Sequence, residues 1–146
     1  MENKEALFRK KAKTYLNCFN EHCPLHSRCL RWEVGRYFDP QTHVANCISP
    51  LYAKAADGSC DYFRDNQPVV IPLGMSQRFY NDMPVRYARP IKQALIDHFC
   101  RSIYYEYHRG DRPITPRVLA VIQSVCRQAG WTQPLQFDGE VEDYVW

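Results

Sequence analysis

The sequence predicts an α+β fold in which a cysteine-rich, loop-rich N-terminal metal module packs on a small helix-plus-strand C-terminal body. Five cysteines fall between Cys18 and Cys60, in a segment rich in turn-forming residues. Apolar residues recur at helical spacing in the second half of the chain, and the chain ends in an acidic-aromatic segment of alternating polarity. We expect residues 1–65 to form the module and residues 66–146 the body, together as one cooperative unit.

Size and composition exclude several classes of protein. The chain has 146 residues, of which 45% are hydrophobic and 24% charged, as in an ordinary globular domain. Its N-terminus is charged and lacks an apolar signal region, and no apolar run approaches the roughly 20 residues of a membrane span. We therefore expect a cytoplasmic protein without a membrane partner.

The number of cysteines disfavours a disulfide framework. The chain has seven, which is an odd number, and cytoplasmic thiols stay reduced.

The module is predicted to contain little regular structure. A short amphipathic helix is expected over Glu5–Leu16, and a second helix over Leu30–Tyr37. The remaining residues carry turn chemistry, including the DGSC turn that ends at Cys60. Irregular backbone around clustered cysteines is typical of a module in which a metal replaces the missing core.

The body begins with an apolar run and continues with helices. Asn66–Pro72 predicts a linker or a short edge strand. A helix is expected over Pro90–Ile103, with Pro90 at its first position, followed by a turn at residues 109–111. The strongest helix prediction covers Thr115–Ala129, with Thr115 as N-cap and Gly130 as stop signal. The residues expected to face the core are Val118, Leu119, Ile122 and Val125.

The C-terminal segment, WTQPLQFDGEVEDYVW, alternates apolar and polar residues. This pattern predicts a strand or a short hairpin with its bend at Asp138-Gly139. Tyr144 and Trp146 are expected to close the core of the protein rather than to dock on a partner.

The N-terminal cysteines are candidate metal ligands. A tetrahedral zinc site needs four ligands, usually in two pairs from separated turns. Cys18 and Cys23 supply one such pair, and Cys29 and Cys60 supply the second. The expected cofactor is Zn²⁺. One alternative is an iron–sulfur cluster, which takes the same four thiolates. The other is that these cysteines bind no metal and are buried as small apolar side chains. Substitute ligands are Cys47, His22 and His26, of which the two histidines are expected to be exposed. Cys100 and Cys126 are expected to be buried in the core.

A basic-aromatic block suggests a second kind of site. The formal net charge is only +3, but Arg78–Arg117 contains eight Lys or Arg against four acids. Guanidinium groups contact phosphates and tyrosine rings stack on bases, so this block is a candidate nucleic-acid surface. Its candidate residues are Lys92, Arg101, Tyr105, Arg109, Arg112 and Arg117. Alternatively, the acids of the C-terminal segment neutralise these arginines.

The motifs favour a non-enzymatic, metal-organised binding or regulatory protein. Its partner is unknown, and a protein and a nucleic acid are the candidates. The chain contains no Gly-rich phosphate loop, no His-Glu-x-x-His and no nucleophile elbow, so no catalytic residue is assigned. An iron–sulfur or cysteine-dependent enzyme, with a nucleophile such as Cys100, is the remaining alternative.

Several motifs together resemble a known family. They are Cys18, Cys23-Pro24, Cys29-Leu30-Arg31, GSCDYFR, YYEYHRGDRPITP and GWTQPLQFDGEVEDYVW. In these motifs nearly the whole chain resembles an uncharacterised bacterial family of small proteins, grouped as a domain of unknown function. The resemblance implies that Cys18, Cys23, Cys29 and Cys60 are the recurring set and that Cys47 ranks fifth. It implies no activity.

Overall fold

A computed structural model of the chain describes residues 3–52 and 58–146, so Asp57 of the DGSC turn lies outside the described residues. The chain divides into an N-terminal unit, Met1–Gln67 with Trp146, and a C-terminal unit, Pro68–Val145.

The mixed α+β class is confirmed. The described elements are helix α1 (Lys4–Ala12), a 3-10 helix (His26–Arg28), α2 (Leu30–Gly35), β1 (Val69–Leu73), α3 (Arg78–Asn81), α4 (Val85–Phe99), α5 (Arg101–Arg109), α6 (Pro116–Gln128) and β2 (Gly139–Asp143). Of the helices in these two ranges, none combines the length and apolarity needed to cross a membrane.

The first helix ends four residues before its predicted end. Its N-terminus is capped by Asn3, whose side chain accepts a hydrogen bond from the backbone N–H of Glu5. Its C-terminus meets Asn17, which is fully buried and donates through Nδ2 to the carbonyl oxygens of Ala12 and Tyr15 at 2.9 and 3.0 Å. Asn17 satisfies carbonyls that a longer helix would bond internally, so the helix stops at Ala12.

Helices α1 and α2 supply the core of the N-terminal unit. Phe8, Leu30 and Val34 are fully buried there. Trp146 packs edge-on against Phe8 and Tyr15, with ring centroids 5.9 and 5.4 Å apart. Trp146 therefore closes the core of the N-terminal unit, and these edge-to-face pairs add to the stabilisation from burial.

The sheet of the C-terminal unit joins two segments that are far apart in sequence. Strands β1 and β2 pair antiparallel, with Ile71 opposite Val141 and Leu73 opposite Gly139. Asn66–Pro72 was expected to form a linker or an edge strand, and most of it is strand. Of the strand or short hairpin expected for the C-terminal segment, the strand is present as β2, with a bend at Asp138 just before it. The hairpin alternative is wrong, because β2 pairs with the distant β1.

The predicted helix over Pro90–Ile103 is wrong at both ends. Helix α4 begins at Val85 after Pro84, and Pro90 lies inside it, where its missing N–H removes one helical hydrogen bond. Helix α4 ends before Cys100, which has a left-handed φ of 65°, and α5 starts immediately afterwards. The break allows each helix to turn its own apolar side chains into one core. Those side chains are Ile91 and Leu95 of α4, and Tyr104 and Tyr107 of α5.

Helix α6 follows the sequence prediction closely. The hydroxyl of Thr115 accepts from the backbone N–H of Val118 at 3.4 Å, and Pro116 occupies the first helical position. Gly130 ends the helix with a φ of 90°, which favours glycine. Ile122 is fully buried. The other three residues expected to face the core, Val118, Leu119 and Val125, pack against it while half-buried.

Candidate metal centre

The N-terminal unit contains a cavity of about 270 Å³ that is lined by all four primary candidate ligands. These are Cys18, Cys23, Cys29 and Cys60, which are spread over more than forty positions of the sequence. The aromatic side chains in its wall are Phe19, Trp32, Tyr52, Tyr62 and Phe63. The cavity is therefore a thiol-lined chamber with mainly apolar walls.

Backbone pairing brings Cys60 to Cys29. Cys29 forms an antiparallel bridge with Asp65, and Leu30 N–H donates to Arg64 O at 2.7 Å. A turn closed by a 3.2 Å hydrogen bond from Phe63 N–H to Cys60 O places Cys60 just before this pairing. These bonds fix the distant cysteine beside the start of α2, a result that no local sequence pattern specifies.

Arg31 connects its own segment, which carries Cys29, to the segments that carry Cys18 and Cys60. Its backbone oxygen accepts from Cys18 N–H at 3.1 Å. Its Nε donates to Tyr62 O at 2.6 Å, and its Nη1 donates to Leu16 O at 3.1 Å. Only 8% of Arg31 is exposed, and its guanidinium lies 4.9 Å from the centre of the Tyr15 ring. Arg31 therefore cross-links the segments around the site, while its own side chain is not among the described ones that line the cavity.

The loop from Asn20 to His26 carries Cys23 and both candidate histidines. His26 Nδ1 lies 2.6 Å from Cys23 O. Because a carbonyl oxygen only accepts, Nδ1 carries a proton in this contact. His22 and His26 both line the cavity, and the ring of His26 packs edge-on against Trp32 at 4.8 Å. The expectation that His26 is exposed is wrong, because its packing against Trp32 leaves it half-buried. Its role as a substitute ligand stays a prediction.

Cys47 occupies a different position from the four primary candidates. It pairs with Asn17 in a parallel bridge, which holds the following residues, Ile48 and Ser49, in the wall of the cavity. Cys47 itself is not part of the cavity wall as the described residues form it. The structure therefore distinguishes this cysteine, which ranked fifth, from the other four.

The thiols influence one another electrostatically. Burial is the main cause that raises the pKa of Cys18 above its ordinary value. The backbone N–H of Asn20 opposes this rise, and nearby Cys29, Cys23 and Cys60 add to it. All seven cysteines are free thiols. In residues 3–52 and 58–146, no group of three or more His, Cys, Asp or Glu side chains is arranged to hold a metal ion, so convergence on one ion stays a prediction.

The basic-aromatic block lies in the C-terminal unit and separates into two sets. Lys92 and Arg101 both lie over the ring of Tyr105, at 5.7 and 5.4 Å from its centre. The remaining arginines either form ion pairs with acidic residues nearby in the sequence or are exposed to solvent. Arg109 pairs with Asp111 at 2.8 Å, Arg112 pairs with Glu106 at 2.6 Å, and Arg117 is exposed.

Cys100 and Cys126 differ in their exposure to solvent. Cys126 is 2% exposed, as expected for a core residue. The expectation that Cys100 is buried is wrong, because its left-handed backbone at the junction of α4 and α5 leaves it exposed.

Sequence reasoning missed Arg31 and the aromatic wall. A single sequence gives little sign of a buried arginine, since arginine is usually exposed. The aromatic residues did leave a signal: Phe19, Trp32 and Tyr62 each follow a candidate ligand within three positions. Aromatic residues placed this close to clustered cysteines indicate an apolar shell around a site.

Comparison with known proteins gives a family without an assigned activity. The sequence matches the family of unknown function DUF6078 over residues 1–146. No curated protein and no solved structure matches the chain.

Proposed function

The chain belongs to the family of unknown function DUF6078, and we propose that its N-terminal unit holds a thiolate-ligated metal centre. The ligands are Cys18, Cys23, Cys29 and Cys60. The observation that carries the proposal is that these four thiols line one cavity. Zinc and an iron–sulfur cluster both take four thiolates.

The small core of the N-terminal unit gives the centre a structural purpose. Apart from α1, α2 and one 3-10 turn, the described residues of this unit up to Gln67 form loops and isolated bridges. A metal bound to four thiolates cross-links such loops and contributes directly to folding. A reducing cytoplasm, in which the thiols stay free to bind metal, is the compartment that suits this role.

A metal-organised binding or regulatory protein is the function that this arrangement supports best. In this role the centre fixes the loops, and the surface of the unit contacts a partner. A second candidate function is nucleic-acid binding through Lys92, Arg101 and Tyr105, which lie together in the C-terminal unit. Its test is the salt dependence of DNA binding, which replacing Lys92 and Arg101 by alanine should flatten, whereas Arg127→Ala, at an exposed position, should leave it unchanged.

The metal proposal is tested by elemental analysis of protein purified without oxygen. We expect stoichiometric metal in the unaltered chain, and its loss in Cys18→Ser and Cys60→Ser. Cys47→Ser is the matched control, because Cys47 belongs to the same unit but lies outside the described wall of the cavity. We expect this variant to keep its metal.

Two outcomes would overturn the proposal. One is an unaltered chain that folds and carries no stoichiometric metal. The other is metal that survives in both Cys18→Ser and Cys60→Ser. The first outcome needs no variant, so it remains decisive even if the serine variants fail to fold.

A further inference from the structure

We propose that the centre in this cavity is a cubane cluster of four iron and four sulfide ions rather than a single zinc ion. Its ligands are Cys18, Cys23, Cys29 and Cys60. The inference rests on the proposed thiolate centre and identifies the class of its cofactor.

The volume of the cavity is the first argument. Four thiolates bound to one zinc ion at about 2.3 Å lie about 4 Å from one another and enclose no further space. The cavity that these cysteines line together with thirteen other residues measures about 270 Å³. A cubane places eight inorganic ions between its four thiolates and therefore needs a chamber, which a single ion does not.

The wall of the cavity is the second argument. Phe19, Trp32 and Phe63 line it together with the aliphatic side chains of Leu25 and Ile48. An apolar shell controls the access of solvent to a metal centre and lowers the dielectric around it. Solvent exposure is one of the factors that set the reduction potential of an iron–sulfur cluster, so an apolar wall suits such a cluster.

The charge beside the cavity is the third argument. A cubane core of charge 2+ with four thiolates carries a net charge of 2−. Arg31 is nearly fully buried next to Cys29 and, among the described residues, pairs with no Asp or Glu. Arg64 lies across the Cys29–Asp65 bridge, where its carbonyl accepts from Leu30 N–H. Carbonyl oxygens and the Tyr15 ring satisfy the guanidinium without neutralising its charge, so a nearby dianionic centre would be favoured by it. Glu21, which lines the cavity, is exposed and opposes this attraction.

Zinc bound to four thiolates has the same net charge, so the charge supports a four-thiolate centre of either type. The chamber volume is what selects the cluster.

Iron and sulfide analysis tests the inference on the full chain. Protein purified without oxygen is assayed for iron, zinc and acid-labile sulfide, and the cluster type is read by Mössbauer spectroscopy. We expect about four iron and about four sulfide per chain, with the visible charge-transfer absorption of a cubane. Cys29→Ser should lower the iron and sulfide contents together, whereas Cys47→Ser should keep both.

The outcomes separate this inference from the proposed function. Stoichiometric zinc without sulfide overturns the cluster and leaves the thiolate centre standing. Two iron and two sulfide per chain overturn the cubane in the same way. Folded protein without any stoichiometric metal, after purification without oxygen and reconstitution with iron and sulfide, overturns both proposals.

Discussion

The carboxylate of Asp138 binds Ser76 twice: Oδ2 accepts the backbone N–H at 2.8 Å and the hydroxyl at 2.7 Å. Its other oxygen accepts the backbone N–H groups of Gln77 and Arg78, both at 3.0 Å. Asp138 thus caps helix α3 from about sixty residues away and anchors the entrance to β2. Burial alone would raise the pKa of Asp138, but the hydrogen bonds from Ser76, Arg78 and Gln77 together lower it to about 2.

Asp138→Asn should make the protein less stable, in a way that depends on pH. The pKa is lower in the folded state than the roughly 3.9 of an unfolded aspartate, so ionisation stabilises the fold above about pH 4. This contribution is lost as the pH falls from about 4 towards 2. At neutral pH we expect a loss of about 0.5–2 kcal/mol, as for the removal of a helix cap.

Urea unfolding at several pH values measures this effect. The stability difference between the unaltered chain and Asp138→Asn should shrink as the pH falls towards 2. Glu140→Gln, at an exposed position in β2, is the control and should change little. A difference that stays constant with pH would show that the carboxylate charge does not contribute.

Ile122→Ala should destabilise the C-terminal unit strongly. Ile122 is fully buried in the core cluster around α6. Truncation leaves a cavity, so we expect the free energy of unfolding to fall by about 2–5 kcal/mol. Arg127→Ala, at an exposed position of the same helix, should change it by less than about 0.5 kcal/mol. A similarly small loss for Ile122→Ala would mean that this face of α6 is not core.

Arg31→Met should destabilise the N-terminal unit more than Arg31→Lys. Methionine removes both the charge and the hydrogen bonds to Tyr62 O and Leu16 O, whereas lysine keeps the charge. Leaving these carbonyls unpaired should cost about 1–3 kcal/mol, measured by denaturant unfolding. Arg9→Met, on the exposed side of α1, is the control. Equal stability of Arg31→Met and Arg9→Met would exclude a cross-linking role for Arg31.

Cys100 should be alkylated by iodoacetamide much faster than Cys126. Cys100 is exposed, and hydrogen bonds from the backbone N–H of Ile103 and the hydroxyl of Ser102 lower its pKa. Burial raises the pKa of Cys126 to about 11, and the side chain is shielded. The thiolate is the reactive form, so both pKa and exposure favour Cys100.

Peptide mass spectrometry over a time course follows this reaction. Ser102→Ala should slow the alkylation of Cys100, because it removes one donor to the thiolate. Comparable rates at Cys100 and Cys126 in the folded protein would contradict the structure.

The sequence by itself determined the elements whose signals are local. The Thr115 cap, Pro116 and the Gly130 stop define α6, because each acts through backbone groups within one turn of its own position. Cysteine density likewise marks the segment from residue 18 to residue 60, of whose five cysteines four line one cavity.

Only the tertiary structure decided the features whose partners are distant in sequence. The pairing of β1 with β2, and the cap that Asp138 provides, join segments about sixty residues or more apart. The break at Cys100 depends on how two helices fill one core, and Arg31 is buried because carbonyls of Leu16 and Tyr62 meet it. Periodicity and spacing do not encode such partners, because a local window contains only one side of each contact.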